Sequence, residues 1–329
     1  MTNIKIRGIE VQRGQNVVYA DSYIEHFKKQ GKNIERLLEG YGREQYYIAD
    51  REKENTLSLG YEATKVLLAK EGLKGEDIDI IVFCSQSPEY LIPSQAVILH
   101  GLIEGSRKAQ VMDINVNCAG MLTGFDTVVQ IMQAKPYLKK ALIVGAECLT
   151  FTTTDKDEYT YPIFGDAGCA VILERTKEQE SGFIDSTYRT DGKTWGLVTY
   201  PQKGFSQCVT EKVEELYMKW TPFDADFVAG YMKDALIELL DRNAYTLEDI
   251  KLICSSQYAL GLVENCSKAL DVPRDKFIYI GNEYGYTGTS SPFIALYEAI
   301  KEKRIQRGDL INMWTVGTHW TIVSILMKY

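Results

Sequence analysis

Cys118 is the residue with the clearest chemical potential, because it lies in Asn117-Cys-Ala-Gly120, a run of small, turn-forming residues directly ahead of an amphipathic stretch. A thiolate is a strong nucleophile, and the start of a buried helix stabilises it through free backbone donors and the helix N-terminal charge, so the thiol pKa is expected to fall. The competing reading of Cys118 is a packed core thiol. The other six cysteines (84, 148, 169, 208, 254 and 266) form no Cys-x-x-Cys pair and sit mostly in apolar runs such as Ile81-Val-Phe-Cys84, so they read as reduced packing residues. Three histidines, His26, His100 and His319, are too few and too scattered for a His-based metal centre.

The elements that must position Cys118 come in two copies. Glu76-Asp-Ile-Asp-Ile-Ile-Val-Phe-Cys-Ser-Gln86 is echoed by Glu248-Asp-Ile-Lys-Leu-Ile-Cys-Ser-Ser-Gln257, and an amphipathic helical pattern precedes each. Apolar runs with strand composition follow at 141–146, 169–173, 310–315 and 320–326. Val- and Ile-rich strands alternating with helices predict an α/β fold with sheets covered on both faces, built from two similar halves, 1–175 and 176–329. Asp77 to Asp249 is an offset of 172 (249 − 77), which carries Cys118 onto Ser290. Ser290 opens a second helix pattern with Pro292 suited to its first turn, and the two helices are expected to pair across a pseudo-twofold axis.

Composition narrows the class of function. The 329 residues are 45% hydrophobic and 25% charged with a net charge of −8, as in a globular protein and unlike a binder of phosphate backbones. No apolar run approaches the ~20 residues of a spanning helix, and the first residues show no leader-like apolar core, so neither nucleic acid nor membrane is an expected partner and a cytoplasmic location is expected.

Taken in order, Ile92-Pro-Ser94, Asn117-Cys-Ala-Gly-Met121, Phe164-Gly-Asp-Ala-Gly-Cys-Ala170, Asp191-Gly192 and the ungapped tail from Ser256 to Tyr329 carry a resemblance over nearly the whole chain. The sequence resembles β-ketoacyl-acyl-carrier-protein synthase III. The resemblance implies a thiolase fold of five αβαβα layers, a homodimer or a related heterodimer, and an acyl tunnel ending at Cys118. Ile92 and Glu89 are then tunnel residues. It implies no cofactor, and as substrate the pantetheine thioester of acyl-CoA or acyl carrier protein.

The family pairs its cysteine with a histidine and an asparagine, and against that pattern this chain writes Ser256-Gln-Tyr-Ala259 and Gly285-Tyr-Thr-Gly288. Ser256 and Tyr286 then occupy the two positions. Both are neutral hydrogen-bonding groups near pH 7, which weighs against decarboxylative condensation and leaves cysteine acylation intact. The oxyanion hole would combine the Cys118 amide with the loop Gly317-Thr318-His319, which retains one of the family's three glycines. His319 falls at the third glycine, where it reads either as a relocated base or as a loop histidine bonded to a backbone carbonyl.

Further residues bear on the same pattern. Related hydroxymethylglutaryl-CoA synthases use a loop glutamate, for which Glu89 and Glu283 are the candidates beside a solvated reading. The family's nucleotide-gripping Trp and Arg are out of register near Gly40-Tyr-Gly-Arg-Glu-Gln45, so acyl carrier protein is the better donor, docked on basic patches such as Lys301-Glu-Lys-Arg-Ile-Gln-Arg307 or, in the alternative, leaving that run a solvated helix end. The expected function is an acyltransferase or condensing enzyme of specialised acyl metabolism working through acyl-Cys118. The alternatives are a catalytically impaired subunit that supports an active homologue, and a standard fatty-acid initiator.

Overall fold

The computed structural model describes residues 3–178, 180–208, 216–223, 225 and 227–329. The strands are β1 (Asn3–Arg13), β2 (Asn16–Tyr19), β3 (Gln45–Ile48), β4 (Ile80–Cys84), β5 (Gln110–Ile114), β6 (Lys140–Glu147), β7 (Ala167–Thr176), β8 (Gly182–Thr190), β9 (Val198–Thr199), β10 (Lys219–Trp220), β11 (Leu252–Ser255), β12 (Phe277–Ile278), β13 (Leu310–Gly317) and β14 (Thr321–Lys328). The helices are α1 (Ala20–Lys29), α2 (Glu35–Tyr41), α3 (Thr56–Glu71), α4 (Gln95–Leu102), α5 (Gly120–Ala134), α6 (Phe205–Cys208), α7 (Phe227–Arg242), α8 (Leu260–Leu270), α9 (Gly281–Tyr284) and α10 (Ser291–Lys301).

Two five-stranded sheets share one plan. The first runs β1-β7-β6-β4-β5 and the second β8-β14-β13-β11-β12, read in the same direction. In each, the first three neighbours pair antiparallel and the last three parallel. Burial on both faces explains the unbroken apolar runs: all five residues of Ile80–Cys84 and all four of Leu252–Ser255 are buried. The internal repeat read from the sequence is therefore a repeat of structure, and Ile80 and Leu252 open the equivalent strands at an offset of 172 (252 − 80).

Helices fill three further layers. Leu67 of α3 and Leu99 of α4 pack with Ile81 and Phe83 on the outer face of the first sheet. Leu236 of α7 and Val263 of α8 do the same on the second, with Trp314. Between the sheets lie α5 and α10, whose Phe125 and Phe293 rings meet with centroids 5.9 Å apart. This is the five-layered thiolase-like arrangement. Local sequence supports the layers: Asn55 and Ser58 form a capping box ahead of α3, Gly72 takes the left-handed conformation behind it, and a proline stands in the first turn of α10. Among the described residues no helix is long and apolar enough to cross a membrane.

Candidate active site

The chain leaves β5 at Ile114, turns through Asn115–Ala119, and enters α5 at Gly120. Asn117, at φ 50°, takes the left-handed conformation that its short polar side chain tolerates. Its amide donates to Asn115 Oδ1 at 3.0 Å and its Nδ2 to the Thr318 carbonyl at 2.7 Å. Ala119 and Gly120 close the turn by donating to Val116 and Asn117 at 3.0 Å each. From the second half, Thr289 Oγ1 accepts the Met121 amide at 2.7 Å, satisfying one of the helix's free donors. Gly317 lies so close beneath the turn that a Cβ there would stand 2.7 Å from the Val116 carbonyl oxygen. That is a close approach only glycine permits.

Cys118 is buried, and its sulfur meets two donors. Gln86 Nε2 donates to Sγ at 3.5 Å, and the Tyr286 hydroxyl donates to the same atom while accepting from Ser256 Oγ at 3.5 Å. Contrary to the expectation of a lowered thiol pKa, burial pushes the Cys118 thiol up, and the hydrogen bonds from Tyr286, Gln86 and its own amide only oppose that rise. Helix polarity is outweighed because the sulfur is almost wholly withdrawn from water. The Tyr286 hydroxyl is pushed well above its usual range by burial and by the neighbouring sulfur, so it remains a donor. The Phe164-Gly-Asp stretch holds Tyr286 in place, since Tyr286 donates to Ile163 and Gly165 donates back to Tyr286.

A cavity of about 630 Å³ opens in front of the sulfur. Gly317, Thr318 and His319 line it beside Cys118. One wall is a continuous file of rings: Tyr286 edge-on to Tyr258, Tyr258 stacked with Trp220 at 6.1 Å, Trp220 against Phe223 at 5.4 Å, and Phe223 against His319 at 5.6 Å. Arg43 stands behind this wall, donating to the carbonyls of Gln257 and Tyr258 at 3.0 and 2.6 Å. The stretch considered for nucleotide binding thus turns its guanidinium inward.

His319 is 5% exposed and takes φ 51° in the tight turn joining β13 to β14. Its Nδ1 lies 3.4 Å from Thr194 Oγ1, its Nε2 has no hydrogen-bond partner, and burial holds its pKa below the usual value. The alternative of a histidine bonded to a backbone carbonyl describes His26 and His100 instead, whose Nε2 atoms meet the carbonyls of Asp155 and Ser106.

The structure gathers Cys118, Tyr286, Gly317, Thr318 and His319 around one space, with Ser256 behind Tyr286 and not on the cavity wall. Ile92 and Glu89 do not join them. Both are exposed, Ile92 at 90%, on the loop that carries the chain out over the surface between β4 and α4, so neither lines this chain's cavity. Glu283 is exposed as well. In the basic run, Lys301 pairs with Glu298, Arg304 donates to the Asp275 carbonyl and Arg307 to that of Ile6, so three of its cations are engaged within the chain. Six cysteine thiols are free and buried. The side chain of Cys208 and the stretch 209–215 lie outside the described residues.

Residues 112–192 match the family model described as 3-oxoacyl-[acyl-carrier-protein (ACP)] synthase III, and residues 240–329 match its C-terminal counterpart. The β-ketoacyl-[acyl-carrier-protein] synthase III of Caldanaerobacter subterraneus subsp. tengcongensis is 31% identical over 281 residues, 83% of each chain. The chain belongs to the β-ketoacyl-[acyl-carrier-protein] synthase III family. The synthase III of Clostridium beijerinckii is 28% identical over the full length of both chains. The fold agrees with the crystal structure of 3-oxoacyl-[acyl-carrier-protein] synthase III from Aquifex aeolicus, which superposes with a TM-score of 0.87 at 24% identity over 99% of this chain and 100% of that one. This is a condensing enzyme of fatty-acid-related metabolism.

Sequence reasoning missed two residues of this synthase III site. Gln86 touches the sulfur from the loop after β4, and Glu147, at the end of β6, is wholly buried beneath it. Glu147 accepts from Ser85 Oγ, the Gln86 amide and the Ser87 amide at 3.1 Å each, and from Ser87 Oγ at 2.5 Å. Burial pushes its carboxyl up to about 7. A signal existed for both: a lone carboxylate ends the apolar run Ala141–Ala146, and Gln86 closes the repeated segment at the carboxyl end of a parallel strand, where open α/β sheets place their sites.

Proposed function

We propose that this synthase III relative is an acyltransferase that works by ping-pong through an acyl-Cys118 thioester. The Cys118 sulfur adds to the carbonyl carbon of an acyl-pantetheine thioester to give a tetrahedral oxyanion, which collapses by breaking the pantetheine C–S bond, and the departing pantetheine thiolate takes up the proton the cysteine gave to solvent. An acceptor then displaces Cys118 and the thiolate is restored. The observation that carries this reading is the placement of Cys118 on the wall of the 630 Å³ cavity with Tyr286 and Gln86 both donating to its sulfur. The Cys118 amide and the loop Gly317, Thr318 and His319 supply the surroundings of the tetrahedral oxyanion, where each well-placed donor contributes on the order of 3 kcal/mol.

Ser256 and Tyr286 stand where the family's histidine and asparagine are expected. Neither is a base near neutral pH, and the enolate left by decarboxylation of a malonyl thioester would gain at most one hydrogen bond from Tyr286. An acceptor other than malonyl thioester, or a carbon acid that is already activated, fits better. His319, whose imidazole burial holds below its usual pKa and whose buried Nε2 has no hydrogen-bond partner, is the base that would deprotonate such an acceptor.

The donor is an acyl carrier protein or acyl-CoA, and the chain pairs with a second copy or with a homologue. The exposed apolar residues Tyr90, Leu91, Ile92, Val97 and Leu102 cluster on the β4–α4 loop and α4, and this patch is the surface for that pairing; Ile92 and Glu89 would then border the partner's cavity. The two halves, 1–175 and 176–329, act as one enzyme, since residues of both surround the sulfur.

Intact-mass measurement after incubation with a panel of acyl thioesters tests the proposal. An acyl adduct that disappears in Cys118→Ala is expected. Absence of any adduct across the panel leaves the reading of a subunit supporting an active homologue. Rapid CO2 release from malonyl thioester by the acylated enzyme would restore decarboxylative condensation, and a His319→Ala variant that acylates and turns over normally would remove His319 from the mechanism.

A further inference from the structure

Around Cys118 the loop Ser85–Ser87 is built in an unusual way. Four of its donors converge on one carboxylate: Ser85 Oγ, the Gln86 amide, the Ser87 amide and Ser87 Oγ all meet Glu147, which is 0% exposed, while the Ser85 amide donates to the Ile114 carbonyl. One side chain on that loop does not join this convergence. The Gln86 carboxamide turns the other way, lines the cavity, and donates Nε2 to Cys118 Sγ at 3.5 Å. Gly288 closes the remaining space, since a Cβ there would stand 3.0 Å from Glu147 Cγ and 3.1 Å from Gln86 Nε2. The carboxamide is confined between the carboxylate's loop, a glycine and the sulfur.

We propose that Gln86 is a catalytic residue whose carboxamide holds the Cys118 thiolate by a hydrogen bond, and that Glu147 is the positioning residue that fixes Gln86 by clamping Ser85–Ser87. The proposal rests on the reading of Cys118 as the nucleophile. A primary amide has no proton to give up near neutral pH, so it stabilises the anion without competing as a base, and it donates more strongly to a charged sulfur than to a neutral thiol. The titratable groups around the sulfur are Tyr286, Tyr258, Glu147 and, on the same cavity, His319; the two phenols stay protonated in their burial, the Glu147 charge acts against the thiolate, and burial holds the imidazole pKa below its usual value. Glu147 thus carries two opposed effects, a favourable one through Gln86 and an unfavourable one through its charge.

That opposition makes the test selective. Iodoacetamide alkylation of Cys118, followed by peptide mass against pH, reports thiolate formation and needs no acyl substrate, so it stands apart from whether the acyl-enzyme reading holds. Gln86→Met should move the alkylation midpoint up by about one pH unit, a tenfold loss of thiolate in the rising part of the curve. Gln86→Glu, which replaces the donor with an acceptor of the same shape, should move it further. Glu147→Gln should slow alkylation in the native background and leave it unchanged or faster in Gln86→Met, where only the charge effect remains. An unmoved midpoint in both Gln86 variants overturns the role of Gln86. Equal effects of Glu147→Gln in the two backgrounds overturn the positioning role of Glu147. Urea titration of each variant checks that the folded state is retained, and Gln86→Asn serves in place of any variant that fails to fold, with the midpoint raised if the proposal holds and unchanged if it does not.

Discussion

Gln86 and Gln257 end the same repeated segment in the two halves, and they spend their hydrogen bonds differently. Gln257 is wholly buried, donates to the carbonyls of Ser255 and Ile278 at 2.8 and 3.2 Å, and accepts the Ile280 amide at 2.7 Å. It is part of the scaffold joining β11 to β12. Gln86 faces the cavity and gives its amide to a sulfur. The helices show the same division: Cys118 precedes α5 and opens on the cavity, whereas Ser290 precedes α10, is fully buried, and donates to the Thr287 carbonyl at 3.1 Å. At these two paired positions the second half turns its polar group into the scaffold, whereas the first turns it to the cavity.

The division can be broken, most severely at the sulfur. Cys118→Ala should abolish every covalent acyl adduct in intact-mass spectra, while Ser290→Ala should acylate at the native rate. Gly317→Ala comes next. Its Cβ would stand 2.7 Å from the Val116 carbonyl and 3.2 Å from the Ala119 Cβ, so the cysteine turn must shift. Pre-steady-state acylation should slow by about tenfold or more, since small displacements of a nucleophile are costly.

Stability against pH sharpens the comparison. The Glu147 carboxyl is raised by burial from 4.5 to about 7, so between these values the unfolded chain has lost a proton that the folded one keeps. Stability is therefore fully present below pH 4.5 and falls as pH rises toward 7, by up to about 3 kcal/mol from this group. Urea titrations at several pH values should show that decline, and Glu147→Gln should flatten it. Smaller again is the scaffold glutamine. Gln257→Leu leaves a buried amide and two carbonyls short of a partner and should cost about 2 kcal/mol in the same titration, whereas Gln86→Leu should cost less than about 1 kcal/mol.

Much of the fold was legible because both sheets bury their strands on two faces, which writes them as apolar runs. The stretches 81–84, 141–146, 169–173, 310–315 and 320–326 all lie in or against the strands observed. The duplication was legible because Glu76–Gln86 and Glu248–Gln257 keep the same helix-to-strand junction. The two-stranded sheet of β2 and β3 and the helix α2 were not read, since their patterns are short and half-exposed. At the site, Cys118 stood out by turn chemistry, and Gly317, Thr318, His319, Ser256 and Tyr286 by likeness to a known pattern. Gln86 and Glu147 escaped because their partners are 32 and about 60 residues away, and nothing local marks a hydrogen bond that only the assembled sheet creates. The expected lowering of the Cys118 pKa failed for a related reason: the depth at which a helix end is buried is a tertiary property.

The seat of Gly317 under the cysteine turn, with Asn117 Nδ2 fastened to the Thr318 carbonyl, couples two parts that enzymes often keep apart. The hairpin that shapes one wall of the substrate space is also the floor on which the nucleophile rests. A lineage that alters this hairpin to admit a new substrate therefore retunes the reactivity of its sulfur in the same step, and selectivity and speed are inherited here as a single trait.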